Sequence, residues 1–369
     1  MIRGSLVNAF GGLTDSHGIW MEDCGGAAPW IVDNHYIASA GDNQQSRVDG
    51  VRAIGDCHPV VDSNVTITGG GEGQASNPSG VHCAANGMST PSKCVVLGNQ
   101  LIRGSENGFP PIATVRCDGG SCLRIEQNVI TGRGGQTSYG IFLQRTGTFV
   151  DGNQIRGGCS TNATGVHAEN AFARVQNNFV LGFSGNDCNG NPPGVQTSTG
   201  ARVLATQGVN EIDLHSNTID AGGTGACTGR GLELGVSGMP PAGGLGVLRN
   251  NIVRAGGCNS SHINLVELSA AADPRIFENN NLDSSGNPGA LYLDENNSSL
   301  NMAAQVNALV DMVVAGTLST NSMLVNPPAD MHLLNGSACK DAGTASGAPL
   351  TDIDGAQRDA KPDIGADEI

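Results

Sequence analysis

The sequence predicts an all-β fold built as a parallel β-helix, and three observations carry that prediction. A short pattern recurs along the chain: an apolar residue, two or three variable ones, Asn, a variable residue, an apolar residue and often Gly, as in Arg124-Ile-Glu-Gln-Asn128-Val-Ile130-Thr-Gly132. A second short stretch, opening on Gly and alternating apolar with variable residues, precedes most copies. Gly supplies 55 of 369 residues, while charged residues make up 14% and aromatics 4%. That composition suits a turn-rich β protein, and 38% hydrophobic residues are too many for a disordered chain.

The Asn pattern centres on Asn128 and returns clearly at Asn153, Asn178, Asn217 and Asn251, with weaker copies at Asn8, Asn34, Asn64, Asn99 and Asn280. Successive positions are 26, 30, 35, 29, 25, 25, 39, 34 and 29 residues apart. The recurring spacing of 25 is one circuit of the chain, and the longer ones are the same unit with a loop inserted. Within each unit there is period-two alternation and almost no 3.6-residue periodicity. About ten coils, stacked about 4.8 Å apart, would give a rod on the order of 50 Å long.

An Asn at the bend between two strands has a physical task. Turned inward, it bonds the backbone of the coils above and below, and it tolerates left-handed geometry. Asn34, Asn64, Asn99, Asn128, Asn153, Asn178, Asn217, Asn251 and Asn280 are therefore assigned to a structural ladder.

The strands before these bends open as Gly18-Ile-Trp-Met, Gly50-Val-Arg-Ala, Gly80-Val-His-Cys, Gly140-Ile-Phe-Leu, Gly165-Val-His-Ala, Gly231-Leu-Glu-Leu and Ala290-Leu-Tyr-Leu. The first and third residues after the Gly (or Ala) should point inward and the second outward. Trp20, Arg52, His82, Arg116, Phe142, His167, Glu233 and Tyr292 then form an outward row, with Glu22, Asp118, Gln144 and Glu169 two residues further on.

Residues 1–296 are assigned to coils and residues 297–369 to a C-terminal helix and capping segment. From Ser299 to Val313 the apolar residues fall at helical spacing, and Gly316 would end the helix. Such a helix would cover the open end of the stack, whose strand edges would otherwise invite pairing.

The closing stretch runs Leu333-Leu-Asn-Gly-Ser-Ala-Cys339-Lys-Asp-Ala-Gly343, then Asp352-Ile-Asp354-Gly-Ala-Gln-Arg358, then Pro362-Asp-Ile-Gly-Ala-Asp367-Glu368. It resembles the terminal segment of secreted bacterial parallel β-helix proteins that carry an anchor module of the choice-of-anchor Q type. The earlier coils resemble the wider pectate-lyase-like superfamily in general pattern. The resemblance implies a right-handed parallel β-helix and export; with the spacing read above, the fold class is such a β-helix with a short C-terminal helix and irregular cap. It implies no single activity.

Eleven cysteines without Cys-x2-Cys or zinc-finger spacing point to disulfides and an oxidising compartment. Cys24 with Cys57, Cys159 with Cys188, and Cys227 with Cys258 sit at like places on successive coils. Cys83, Cys94, Cys117 and Cys122 allow two pairings, local (83–94, 117–122) or between coils (83–117, 94–122). The varying length of the loop before Cys94 favours the local one. Cys339 is left over, either free or intermolecular.

A net charge of −15 disfavours nucleic acid as a partner. No run approaches the roughly 20 apolar residues of a membrane span. The first residues already lie within a repeat, so the sequence is expected to lack its signal peptide, and the location is expected to be extracellular or the cell surface.

His82, Arg116, His167 and Glu169 form the densest ionisable set on the outward face. A base near neutrality and an Arg to stabilise a developing anion would suit β-elimination from a uronate. Pectate lyases as a family place acidic calcium ligands beside an Arg, and no such set can be assembled on this face. Asp352-x-Asp354-Gly355 resembles the start of a calcium loop, although the later ligands are out of register. The leading expectation is a structural, adhesive or glycan-contacting module without catalysis, partnered by polysaccharide or surface glycan. The alternative is a polysaccharide lyase or epimerase using the opener face, and a weaker one is a phage or secretion-system spike.

Overall fold

The computed structural model describes residues 1–10, 15–40, 47–70, 76–87, 90–105, 111–184, 196–207, 211–225, 227–239, 244–258, 261–286 and 288–369. The chain is a right-handed parallel β-helix. It divides into two compact units, Met1–Phe149 with Asn153–His167, and Val150–Gly152, Ala168–Phe183 and Val195–Ile369.

In the first unit each coil gives one strand to each of three parallel sheets. The opener sheet stacks Asp15–Glu22, Arg47–Ile54, Ser76–Ala84, Ile112–Asp118 and Thr137–Gln144. The second sheet, before the bend, runs from Ile2–Arg3 to Cys122–Glu126, and the third, after it, from Leu6–Phe10 to Gln154–Gly158. Because the register is parallel, like residues fall on like. Ile37, Ile67, Ile102, Ile130 and Ile155 form one column, each no more than 1% exposed. β-Branched side chains are stiff and fit a pleated surface, so such a column packs with little loss of rotamer freedom.

The asparagine ladder forms as the sequence predicts. Asn34 donates from Nδ2 to Asn64 Oδ1 (2.9 Å), Asn64 to Asn99 (2.8 Å), Asn99 to Asn128 (2.8 Å) and Asn128 to Asn153 (3.0 Å). Each acceptor oxygen also takes a backbone N–H from the neighbouring coil, as Asn128 Oδ1 does from Asn99 at 3.0 Å. Two details differ from expectation. The left-handed residue is the one before the ladder Asn, as at Asp33, Ser63 and Gln127 (φ 52°, 54° and 55°). Asn8 lies within the strand Leu6–Phe10, opposite Ala38, and the end of the ladder is Ser5, whose N–H donates to Asn34 Oδ1 at 3.0 Å.

The opener glycines are fixed by contact. A Cβ on Gly50 would lie 2.7 Å from the Gly80 carbonyl oxygen and 2.9 Å from Ile67 Cγ2, so the strand closes against the third sheet there. Residues three apart on a regular strand face opposite sides, yet Asp49 and Arg52 meet at 3.4 Å. The chain bends at Gly50, and the residue before the Gly faces outward with the one two after it.

The second unit repeats the plan. Its openers are Thr197–Gln207, Thr228–Met239, Ser261–Glu267 and Ala290–Asp294. Asn178, Asn217, Asn251 and Asn280 form its ladder with Nδ2–Oδ1 distances of 3.0, 3.0 and 2.9 Å. Here the outward row changes course. Tyr292 is level with Leu265, itself level with Leu232, and it is wholly buried. The assignment of Tyr292 to the outward face is therefore corrected: the last opener is shifted, and the ring points inward, where it meets the Phe277 ring edge-on at 5.9 Å. Its hydroxyl donates to the buried carboxylate of Glu267.

The long C-terminal helix is also corrected. Only Ala303–Val306 is helical. Asn307 ends it by donating from Nδ2 to the Thr317 carbonyl (3.1 Å) and accepting from the Thr317 N–H (3.0 Å). Val313–Ala315 pairs in parallel with Ile276–Glu278 as another coil strand, and Ser298–Leu300 covers the last opener antiparallel.

The final residues run back along the bends of the second unit. Asn279 donates to the Ala342 carbonyl (3.0 Å), Asn250 to that of Thr344 (2.7 Å) and Asn177 to that of Thr351 (2.7 Å). These are the left-handed residues of the doublets Asn279-Asn280, Asn250-Asn251 and Asn177-Asn178. The second Asn of each pair builds the ladder and the first holds the tail.

Four disulfides occur among the described residues: Cys24–Cys57, Cys83–Cys94, Cys117–Cys122 and Cys227–Cys258. Cys159 is also disulfide-bonded, and its expected partner Cys188 lies outside the described residues. Cys83 is level with Cys117, and Cys94 with Cys122, so stacking alone would have allowed the inter-coil pairing. The bridges instead cross the turn within each coil, where the Cα atoms are 6.4 and 5.7 Å apart. Cys339 is free and fully buried, and burial pushes its thiol up to about 12. No helix among the described residues is long and apolar enough to cross a membrane.

Candidate functional site

On the opener sheet of the first unit, Trp20, Arg52, His82, Arg116 and Phe142 are level with one another, coil by coil, as the alternation predicts. The row faces away from the interior but is largely covered: Arg52 is 8% exposed, His82 2% and Phe142 8%. Trp20, at one end, is 54% exposed.

Two carboxylates organise this row. Asp49, immediately before the opener Gly and fully buried, faces His17 Nδ1 at 3.4 Å, Arg52 Nη1 at 3.4 Å and His82 Nδ1 at 3.5 Å. The other ring nitrogen of His82 lies 3.3 Å from Asp118 Oδ2, and Arg116 Nε donates to that same oxygen at 2.7 Å. The Arg116 guanidinium stands 5.2 Å over the Phe142 ring, which stacks on His167 with centroids 5.1 Å apart. Tyr139, again the residue before an opener Gly, packs on His167 at 4.9 Å.

Of the four predicted site residues, His82 and Arg116 are joined through Asp118, and His167 is joined to Arg116 through Phe142. Glu169, half-buried at the end of Asn162–Glu169, belongs to the second unit. His17 and Asp49 were missed because strict alternation turns them inward. The available signal was their place directly before the opener Gly.

Burial by itself would raise the carboxyl of Asp49. The close approach of His82 and the charges of His82, His17 and Arg52 outweigh it and hold the group below its usual range. Asp118 is lowered in the same way, by His82 and Arg116 against burial. Burial lowers the His17 imidazole despite the pull of Asp49. The arrangement is thus an alternating chain of basic and acidic groups in which Arg52 and Arg116 each meet a carboxylate. Several buried atoms still have no hydrogen-bond partner among the described residues, namely Asp49 Oδ1, Asp118 Oδ1, Arg52 Nε, His82 Nδ1 and both ring nitrogens of His17.

In the second unit, Glu233 is 2% exposed and takes ion pairs from Arg202 Nε, at 2.6 Å, and from Arg230. Arg230 again precedes an opener Gly.

The two predicted calcium ligands have different surroundings. Asp352 holds a turn: its Oδ1 accepts from the N–H groups of Asp354 (3.0 Å) and Ala356 (2.7 Å), and its Oδ2 from Glu368 (3.2 Å). Asp354 turns to His332 Nε2 at 3.0 Å, and with Asp367 these form the one cluster of potential ligand atoms within 4.8 Å among the described residues. An imidazole in that set suits calcium poorly, because calcium takes oxygen ligands. Arg358 serves Glu368 (3.0 Å), the Gly365 carbonyl (2.9 Å) and Asn177 (3.1 Å).

No protein-family model matches the chain, and no curated protein matches it. The reading of its function therefore rests on the fold and on these side chains.

Proposed function

We propose that the chain is a secreted or cell-surface β-helix that contacts glycan through the opener face of its first unit, without catalysis. The carrying observation is the Trp20 ring, 54% exposed and braced edge-on by His17 at 5.3 Å. Trp offers a flat apolar face with a polar handle, which suits the C–H face of a sugar ring, and exposed Glu22, two residues on along the same strand, offers a carboxylate to hydroxyls. Support for the absence of catalysis comes from the pairing within the row, where Arg52 and His82 meet Asp49, and Arg116 meets Asp118. None is held in reserve as a base or an electrophile. The disulfides fit an oxidising compartment.

The test is a glycan array probed with the intact chain and with Trp20→Ala, beside a screen of uronate and neutral polysaccharides for unsaturated products, with and without calcium. Binding that Trp20→Ala abolishes, and no product, is the expected result. Binding indifferent to Trp20, or any turnover, would sink the reading.

One observation favours a second reading, a polysaccharide lyase or epimerase. His82 and Arg116 share the partly exposed carboxylate of Asp118, a base beside a cation as such chemistry uses. Turnover lost in both His82→Ala and Asp118→Asn would favour it.

A further inference from the structure

The second unit contains a cavity of about 410 Å³, within the size range of small-molecule sites. One wall is the end of the third sheet. Arg254 closes the strand Ile252–Arg254, Asp220 is level with it on the preceding coil, and Asp283 follows the strand Asn281–Leu282. Arg254 Nη1 pairs with Asp220, Nη2 donates to Ser285 Oγ at 3.2 Å, and Nε stands 3.6 Å from Asp283 Oδ2. The other wall comes from the C-terminal segment and is mainly apolar, with Met323, Leu324, Pro327 and Leu334.

Three features define what would fit. Arg254 lines the cavity, and a guanidinium carries five N–H donors in a fixed fork; its pairs with Asp220, Ser285 and Asp283 number fewer than its donors, so the wall suits oxygen acceptors. Asp220 and Asp283 together exceed the single charge of Arg254, so an anion would meet net negative charge at close range. Asp283 already accepts from the N–H groups of Ser285 (2.6 Å) and Ser322 (2.9 Å), which fixes the carboxylate in place. An oxygen-rich, uncharged ligand with one apolar face meets all three conditions.

We propose that this cavity binds a neutral sugar residue, its ring oxygen and hydroxyls towards Arg254 and Asp283 and its C–H face on Met323 and Leu334. The proposal does not rest on the opener face, and Trp20→Ala keeps the two apart. The experiment is saturation-transfer NMR with titration calorimetry on the intact chain, using glucose, galactose, mannose and xylose, with glucuronate as the charged counterpart of glucose. At least one neutral sugar should bind. Leu334→Trp, which fills the cavity from a partly exposed loop position, should weaken it by about ten-fold or more, and Trp20→Ala should leave it unchanged. Arg254→Lys keeps the charge but loses the fork and should act in the same direction, which covers a folding defect in the first variant. The proposal is overturned if no neutral sugar binds, if glucuronate binds more tightly than glucose, if binding survives both cavity variants, or if Trp20→Ala removes it.

Discussion

Glu267 offers the sharpest test of how the last coils are built. Its side chain occupies an inward position level with Leu234, wholly buried, with Tyr292 donating to one oxygen and no hydrogen-bond partner for Oε2 among the described residues. Burial raises its pKa from 4.5 to about 8; the bond from Tyr292 opposes that, and the charges of Asp273 and Asp294 add to it. A folded-state value above the unfolded one means that the native protein holds a proton the unfolded chain has released. Stability is then fully present below about pH 4.5 and is lost progressively up to about pH 8. At 1.36 kcal/mol per unit the full loss is on the order of 5 kcal/mol. Glu267→Gln keeps an acceptor for Tyr292 and removes the titration. Urea unfolding at a series of pH values should show the wild type losing several kcal/mol more than the variant between about pH 5 and about pH 9. A smaller slope should survive in the variant from Asp273, which burial and its acidic neighbours raise to about 6. Parallel curves for the two proteins would refute the burial argument.

Three further outcomes are expected. Asn128→Ala removes the donor to Asn153, Val96 and Glu126 and the acceptor for Asn99; the loss should reach about 3 kcal/mol or more, read as a fall in the urea midpoint. Asp49→Asn leaves Arg52 without its counter-charge and should cost about 3–5 kcal/mol near neutrality. Because the Asp49 carboxyl is held below its usual range, that advantage belongs to pH above the ordinary carboxylate value and fades in acid, so the gap from wild type should narrow as pH falls below about 4. Asn250→Ala frees both backbone groups of Thr344 and should loosen the tail by about 1–3 kcal/mol; limited proteolysis with mass analysis should show faster cleavage after residue 341 while the coils persist.

Sequence alone determined the coil. A parallel register places each residue over its counterpart one circuit later, so the columns of Ile, the Asn ladder and the row from Trp20 to Phe142 could be read directly from spacing. The pairing of Cys24 with Cys57 and of Cys227 with Cys258 followed from the same rule. Tertiary structure decided whatever departs from strict alternation or depends on residues far apart in the chain. The strand bends at Gly50, where only Gly fits because a Cβ would strike the next coil, and Asp49 comes out there beside Arg52 and His82. The shift of the last opener turned Tyr292 inward, and pairing with Ile276–Glu278 drew Val313–Ala315 out of the expected helix. The Asn-Asn doublets were visible throughout, but their first member has meaning only once the tail lies against it. Periodicity encodes what each coil shares with its neighbours; burial, charge pairing and the course of the tail depend on contacts that a repeat does not carry.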